Sequence, residues 1–394
     1  MRFAGIDIAS ETHVLAIVAA DGTVAVKPTA FAEDDLGYQN ALTLLGTPGE
    51  VLVSMEATGH YWKNLFAVLV AAGHAVALLN PLRTHRFAGV DLERTKTDAI
   101  DALAIARFAA QKRPPTTPLP DALAEELREL VQLRQRLMQD FGDRVRQLHR
   151  LVDLGFPEFT RYVRTLDSEL ATAILRDYPT AAAFRGVSAR RLAAVRYDGR
   201  HQVGPNLART LIDAARRSVG QHHSATYRLQ IRYACDDLDT LRGRLRTLDR
   251  DLDGKLRQHE VGRLLTSIDG IGPQTAARVI ATVGNPAHFR SGSALAAYVG
   301  TIPALKQSGK RQSLRGGHTP IGNAQLRAAL WMPTLSAVRC NPWLRAHYQR
   351  LIARGKLPKV ALLACMRKPL LVIYSVAKHG QPFAPRLQPP QAAT

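Results

Sequence analysis

Four of the carboxylates in the first 101 residues occupy positions where an acidic side chain calls for an explanation. Asp7 lies inside an apolar stretch that predicts a strand, and Glu56 ends another such stretch. Asp98 and Asp101 are three positions apart in a stretch that predicts a helix. That spacing places both acids on one face, near the positively polarised N-terminus of the helix. Because an unpaired carboxylate inside an apolar strand is costly, the position of Asp7 in particular indicates a functional role.

The chemistry that four such acids predict is metal binding. If the two strands are neighbours and the helix crosses them, the carboxylates converge and repel one another unless divalent cations neutralise them. Mg²⁺ is the usual occupant of such a set of hard oxygen ligands. Two ions roughly 3.5–4 Å apart support phosphoryl transfer. Taken singly, Asp7 is open to interpretation as a turn residue and Asp98 as an ordinary first-turn helix acid. Asp91 and Glu93 are expected on a solvated loop.

The elements that must position these acids follow from hydrophobic alternation and turn residues. Pro114-Pro115 ends the last predicted helix of this region. The predicted order is strands over 2–9 and 13–20, the strand TVAVK after the turn Asp21-Gly22, a helix over 35–46, the strand VLVSMEATG, a helix over 61–72, the strand HAVALLNP and the helix TDAIDALAIARFAAQK. Three antiparallel strands followed by alternating helices and strands resemble the ribonuclease-H-like α/β fold.

Two leucine-spaced segments follow, and they predict long helices that pair as a coiled coil, within one chain or between protomers. A helix packed on its own domain is the alternative. Arg134 and Arg144 interrupt the first apolar seam, and residues 154–225 show no chemistry. The seam residues are Leu127, Leu130, Leu137, Phe141, Leu148 and Leu151 in the first helix, and Leu238, Leu241, Leu245, Leu248 and Leu252 in the second.

The basic charge is concentrated at the C-terminal end. The chain carries a formal charge of +20, and the 125 residues after Asp269 contain 17 Lys or Arg and no Asp or Glu. A segment of this length without acids repels itself unless an anionic partner neutralises it, and a nucleic acid backbone is the natural candidate. A membrane surface is the poorer alternative, because no amphipathic basic helix stands out.

The remaining composition excludes several classes. The three cysteines show no metal-ligand or disulfide spacing, which is typical of a reducing cytoplasm and argues against zinc. No basic, apolar signal segment and no run of about 18 apolar residues are present, so we expect a cytoplasmic protein without a membrane span.

A Gly-Ile-Gly-Pro turn within SIDGIGPQTAARVIATVG predicts a helix-hairpin-helix, whose backbone amides contact phosphate without reading bases. Gly270 and Gly272 permit close approach of the backbone to that phosphate. A plain turn between two helices is the alternative. The Pro- and Ala-rich tail over 381–394 is expected to be disordered.

These motifs carry a family resemblance at both ends of the chain. GIDIAS, MEATGHYW and KTDAIDALAIARF resemble the DEDD signature of a RuvC-like family of insertion-sequence transposases, which includes pilin-gene invertases and bridge-RNA-guided recombinases. The C-terminal half resembles the same family's second domain through IDGIGPQTA, YVGTIPALKQSGK, GNAQLRAALW and RLIARGKLPKVALLACMRKPL. The implied domains are a RuvC-like domain over 1–116, a helical coiled-coil region over 117–262 and a mainly helical basic domain over 263–380.

The resemblance implies a nucleophilic serine in the Gln-Ser-Gly segment, which is Ser308 here. A loop serine that only hydrogen-bonds a phosphate is the alternative, and Ser313 is the substitute. One departure concerns residues 319–323, Thr-Pro-Ile-Gly-Asn, which lack the basic Lys-Arg-Gly of relatives. The residues expected to contact DNA are Gly270, Gly272, Lys310, Arg311, Arg315, Arg327 and Lys356.

The predicted activity is therefore Mg²⁺-dependent excision and insertion of an insertion sequence through a phosphoserine link. DNA ends and target DNA are the substrates, and the resemblance also implies a structured guide RNA and a homodimer or homotetramer. Two alternatives stay open. One is a metal-dependent resolvase or nuclease without a covalent step, and the other is a non-catalytic nucleic-acid-binding protein.

Overall fold

The chain divides into unit 1, Met1–Leu119, and unit 2, Pro120–Thr394. A computed structural model describes residues 1–81, 84, 97–118, 121–301, 306–308, 311–313 and 322–384, with only the backbone described for 306–308 and 311–313. Asp91 and Glu93, and the tail beyond residue 384, lie outside the described residues.

Unit 1 is built on a five-stranded mixed sheet. The strands are β1 (Arg2–Asp7), β2 (Thr12–Val18), β3 (Val24–Ala32), β4 (Val51–Glu56) and β5 (Ala75–Leu79). Their order is β3-β2-β1-β4-β5, with the first three antiparallel and with β4 and β5 parallel to β1. The predicted α/β character of this region is confirmed.

Helices cover both faces of this sheet. α1 (Asp35–Leu45) and α2 (Trp62–Ala71) pack on the face that carries Ala4 and Ile6, whereas α3 (Asp98–Lys112) packs on the face that carries Phe3. The Thr97 hydroxyl caps α3 by accepting a hydrogen bond from the Ile100 amide, at 3.3 Å. Arg113, at φ 42°, ends α3 just before the two prolines.

Unit 2 is built around two 34-residue helices, α4 (Ala122–Gly155) and α9 (Ala225–Gln258). They pack against each other within one chain, and the leucine seam of α9 is buried there. Three ion pairs join them: Arg134–Asp249 at 2.6 Å, Arg144–Asp237 at 3.1 Å and Lys255–Glu126. Positions rise along α4 as they fall along α9, so the two helices run antiparallel.

Each end of this helix pair organises a core. One core gathers Leu148 and Leu238 with the intervening segment, and the other gathers Leu127 and Leu252 with the C-terminal helices. The remaining elements of unit 2 are α5 (Phe159–Tyr162), α6 (Glu169–Asp177), α7 (Ala189–Ala193), β6 (Arg196–Tyr197), β7 (His201–Gln202), α8 (Pro205–Arg216), α10 (Glu260–Leu265), α11 (Pro273–Val283), α12 (Gly292–Val299), β8 (Lys306–Ser308), β9 (Arg311–Ser313), α13 (Ala324–Ala329), α14 (Trp331–Cys340), α15 (Pro342–Ala353) and α16 (Pro358–His379).

One helix of the described residues, α16, is long and apolar enough to cross a membrane. Half of its most apolar window is buried inside unit 2, where Met366, Leu370 and Ile373 join the core. This burial is typical of a core helix, and no membrane is indicated.

Candidate active site and nucleic-acid interface

Asp7 and Glu56 end two neighbouring parallel strands. β1 pairs with β4 so that Ile6 lies opposite Met55, and the next residue of each strand is the acid. Because side chains alternate along a strand, residues in register point to the same face of the sheet. Asp7 and Glu56 therefore lie side by side on one face, and both are partly buried.

The helix that carries the other two acids covers this same face. A Cβ atom added to Gly5 would lie 2.2 Å from the Ala102 carbonyl oxygen and 2.3 Å from the Ala106 nitrogen, so the backbones of β1 and α3 touch. Phe3, at the other end of β1, packs with Ala109. The helix thus runs antiparallel to β1, and its first turn, with Asp98 and Asp101, lies toward the Asp7 end of the strand.

The four acids share one face without forming a closed cluster. Among the described residues, no group of three or more His, Cys, Asp or Glu stands close enough to hold a metal ion. Glu56 accepts a hydrogen bond from the hydroxyl of Thr84, which also donates to the Pro81 carbonyl at 3.0 Å. Asp98 is exposed and Asp101 partly buried. The chemistry of the donors, four carboxylates, fits a hard divalent cation.

A buried histidine, which sequence reasoning missed, supports the turn after Asp7. His13 is completely buried in β2, and its Nδ1 accepts a hydrogen bond from the Ala9 amide at 3.2 Å. Its Nε2 donates to Glu33 at 2.5 Å, and Glu33 also accepts from Asn64 at 3.1 Å. Burial raises the pKa of Glu33, but the nearby Tyr38 hydroxyl, together with His13 and Asn64, outweighs it and holds the pKa below its usual value.

The signal for this network is visible in the sequence. A histidine opens an otherwise apolar strand, HVLAIVAA, where a polar side chain requires buried partners. The partners themselves lie 4 and 20 positions away along the chain. No local pattern connects His13 with Glu33, so only the folded sheet identifies the pair.

Ser308 ends the first strand of a short antiparallel hairpin, which was not predicted. The backbone pairs Ser308 with Arg311 and Lys306 with Ser313. Ser308 is therefore the last residue of β8, opposite the first residue of β9, and Ser313 lies at the other end of the strand pair. Lys310 and Arg315 fall outside the described residues.

The Gly-Ile-Gly-Pro segment connects α10 and α11, as both the helix-hairpin-helix prediction and the plain-turn alternative require, and its two glycines differ. Gly270 has φ +85°, and a Cβ there would lie 2.7 Å from the Pro333 carbonyl oxygen, so packing on α14 requires glycine. Gly272 is exposed, and a Cβ there would meet nothing within 4 Å. The backbone at Gly272, which caps α11, is thus the more open of the two to a phosphate.

The remaining predicted contacts also differ in availability. Arg327 is partly buried, and its guanidinium donates to the Val299 carbonyl at 3.0 Å. Lys356 is exposed between α15 and α16. In the segment that departs from relatives, Gly322 has φ +117° and packs on Gly300, and Asn323 caps α13.

Comparison with known proteins identifies both ends of the chain. Residues 4–157 match a transposase model of the DEDD, IS110 type, and residues 262–349 match the model described as "Transposase IS116/IS110/IS902 family". The first match contains all four acids, and the second contains the hairpin glycines and Ser308. The two matches assign the chain to the transposases. Both matched models describe transposase domains of the IS110/IS116 type, one in each half of the chain.

Relatives cover nearly the whole chain. A 43.6 kDa protein of insertion element IS110 from Streptomyces coelicolor is 29% identical, across 86% of this chain and 84% of the relative. The mini-circle putative transposase for IS117, from the same organism, is 27% identical across 90% and 88%. The pilin gene-inverting protein of Moraxella bovis is 24% identical across 84% and 82%.

Proposed function

We propose that this transposase excises and inserts an insertion sequence by cutting and exchanging DNA strands. The observation that carries the proposal is the side-by-side placement of Asp7 and Glu56 on the sheet face beneath α3. The strand order of unit 1 supports its assignment as a ribonuclease-H-like, RuvC-type domain. The acid-free segment after Asp269 supports DNA binding by unit 2.

In this proposal Asp7, Glu56, Asp98 and Asp101 hold Mg²⁺. When bound, the cations neutralise the carboxylates and polarise the scissile phosphate. The chain itself contributes placement. Two paired strands fix the backbones of Asp7 and Glu56, and the N-terminal end of α3 favours the negative charges of the other two acids.

Ser308 is the proposed nucleophile. Its oxygen gives up a proton and bonds to the scissile phosphorus, while the bond from phosphorus to the 3′ oxygen breaks and that oxygen is protonated. The phosphoserine link retains the energy of the phosphodiester. A 3′-hydroxyl of another strand then reseals the DNA by the reverse reaction, without a high-energy cofactor. Unit 2 offers no carboxylate after Asp269, and we propose that the acid site or the substrate supplies the base.

Strand exchange, rather than simple cutting, is supported by the Moraxella relative, which is named a pilin gene-inverting protein. The family resemblance adds a structured guide RNA and a homodimer or homotetramer to the proposal. Lys310 and Arg311 are the proposed contacts with the scissile phosphate, and Arg315, Lys356 and the backbone at Gly272 are proposed contacts with the DNA.

The test is denaturing electrophoresis of the protein with end-labelled element DNA and Mg²⁺, followed by mass spectrometry of the linked peptide. The wild-type protein should form an adduct at Ser308, and Ser308→Ala should lose both adduct and cleavage. Ser313→Ala, the matched control at the other end of the hairpin, should be milder. Cleavage retained by Ser308→Ala, or an adduct elsewhere, would favour the hydrolytic alternative.

A further inference from the structure

An exposed tryptophan stands at the start of α15 with no role in the proposed cleavage chemistry. The Trp343 side chain is 54% exposed, although tryptophan is among the residues that folding buries most effectively. Its backbone is well held, because Asn341 accepts hydrogen bonds from the amides of Trp343 and Leu344 at 3.0 and 3.1 Å. The indole is thus displayed from a fixed position.

The groups around the indole are aromatic and basic. The Lys368 ammonium lies 5.4 Å from the centroid of the Trp343 ring, within cation–π range. The His347 ring, one turn along α15, lies 6.5 Å from it and only 15° from parallel. Burial, together with Lys368, Arg350 and Arg354, lowers the pKa of His347, so this second ring is mainly uncharged at neutral pH.

The acidic residue nearest to Trp343 in the sequence already has a hydrogen-bond partner. Asp269, the last carboxylate of the chain, accepts a hydrogen bond from the Asn341 side chain at 3.0 Å. All charged side chains after it are Lys or Arg. The basic side chains around this aromatic surface repel basic partners and attract a polyanion. The aromatic ring favours a polyanion that offers planar rings.

From this arrangement we propose that Trp343 is a stacking platform for an unpaired base of single-stranded DNA, with Lys368 beside it to contact the adjoining phosphate. Aromatic side chains in a basic setting bind single strands in this way, because every base has a π-face. In a duplex both faces of a base are covered by its neighbours, so an unpaired base fits better. The proposal uses only the DNA substrate of the family and depends on neither Ser308 nor the acid site.

The test measures equilibrium binding of full-length protein to a fluorescently labelled single-stranded oligodeoxythymidylate, without Mg²⁺, so that cleavage plays no part. Trp343→Ala should weaken binding about 5- to 150-fold, which corresponds to the roughly 1–3 kcal/mol of one stacked base. Trp343→Phe should retain most of the affinity, whereas Trp343→Leu, apolar but without a π-face, should not. Duplex DNA should bind Trp343→Ala within about twofold of wild type.

Tyr233→Ala is the matched control, because Tyr233 is 61% exposed on α9, outside the acid-free segment, and its loss should leave binding unchanged. As a second measurement, oligodeoxythymidylate should quench tryptophan fluorescence of the wild type, and Trp343→Phe should remove that quenching. Full affinity of Trp343→Leu, equal loss for duplex and single strand, or a loss seen only with oligouridylate would overturn the proposal.

Discussion

At the scale of single residues, the strand and helix backbones fix where the four proposed metal-binding carboxylates lie. Asp7 and Glu56 are last residues of paired strands, and Asp98 and Asp101 belong to the first turn of a capped helix. His13 then fixes the Ala9 amide, two residues beyond Asp7. A side chain held at a strand end by such supports keeps its position as charge changes around it, which metal-assisted chemistry requires.

Asp7→Asn or Asp101→Asn should reduce strand cleavage more than about 100-fold, because even the loss of a second-shell partner costs 10- to 100-fold. DNA affinity should stay close to wild type, since neither change removes a positive charge. Gel-based cleavage and binding assays on the same preparations measure both quantities. Asp35→Asn, in the first turn of α1, is the control and should cleave normally. Normal recombination by both variants would exclude these acids from the site.

At the scale of elements, the approach of α3 to β1 brings the two halves of the acid site onto one face. The approach depends on Gly5, because any side chain there would overlap the backbone of the helix at Ala102 and Ala106. In unit 2, Arg134 and Arg144 look like interruptions of an apolar seam, but each pairs with an aspartate of the opposite helix. The contact at Gly5 thus sets how α3 aligns with β1, and the two ion pairs set how α4 aligns with α9.

Gly5→Ala should destabilise unit 1 by about 1–3 kcal/mol, the usual cost of overpacking a core. Cleavage should fall by more than the loss of folded protein explains. The new side chain pushes α3 away from β1, and this moves Asp98 and Asp101 away from the strand ends. Urea unfolding gives the stability, and cleavage at saturating Mg²⁺ gives the activity. Gly243→Ala, within α9 where a Cβ meets nothing, should instead stabilise slightly. Unchanged stability of Gly5→Ala would contradict the close approach.

At the scale of the whole molecule, the two units differ sharply in charge. Unit 1 holds 10 Lys or Arg against 12 Asp or Glu, and unit 2 holds 43 against 21. The acids proposed to bind metal thus belong to a unit with little attraction for DNA. The unit that attracts DNA has no acid in its last 125 residues. From this difference in charge we expect unit 1 to supply the cleavage chemistry and unit 2 to supply most of the DNA affinity.

A fragment of residues 120–394 should bind duplex DNA with log affinity falling by roughly 0.9 per phosphate neutralised as log salt rises. It should not cleave DNA, with or without Mg²⁺. A fragment of residues 1–119 is the control and should bind DNA far more weakly. Fluorescence anisotropy across a salt series measures both fragments. Salt-insensitive binding by the first fragment, or cleavage by it, would contradict this division.

Local sequence patterns were enough to predict the strands and helices and to suggest which residues carry chemistry. Alternation placed Asp7 and Glu56 in strands, helical spacing placed Asp98 and Asp101 on one face, and the two long helices followed from their leucines. Such patterns depend on neighbours a few positions apart, which the chain order already contains. The acid-free segment is likewise a property of composition alone.

Which of these elements meet is evident only from the folded chain. The register of β1 on β4 joins residues about 49 positions apart, and Arg134 finds Asp249 across 115 positions. The same holds for His13 with Glu33, and for the seam leucines, which pack within one chain. These contacts depend on burial and on loop closure between distant segments, and no spacing along the chain records them.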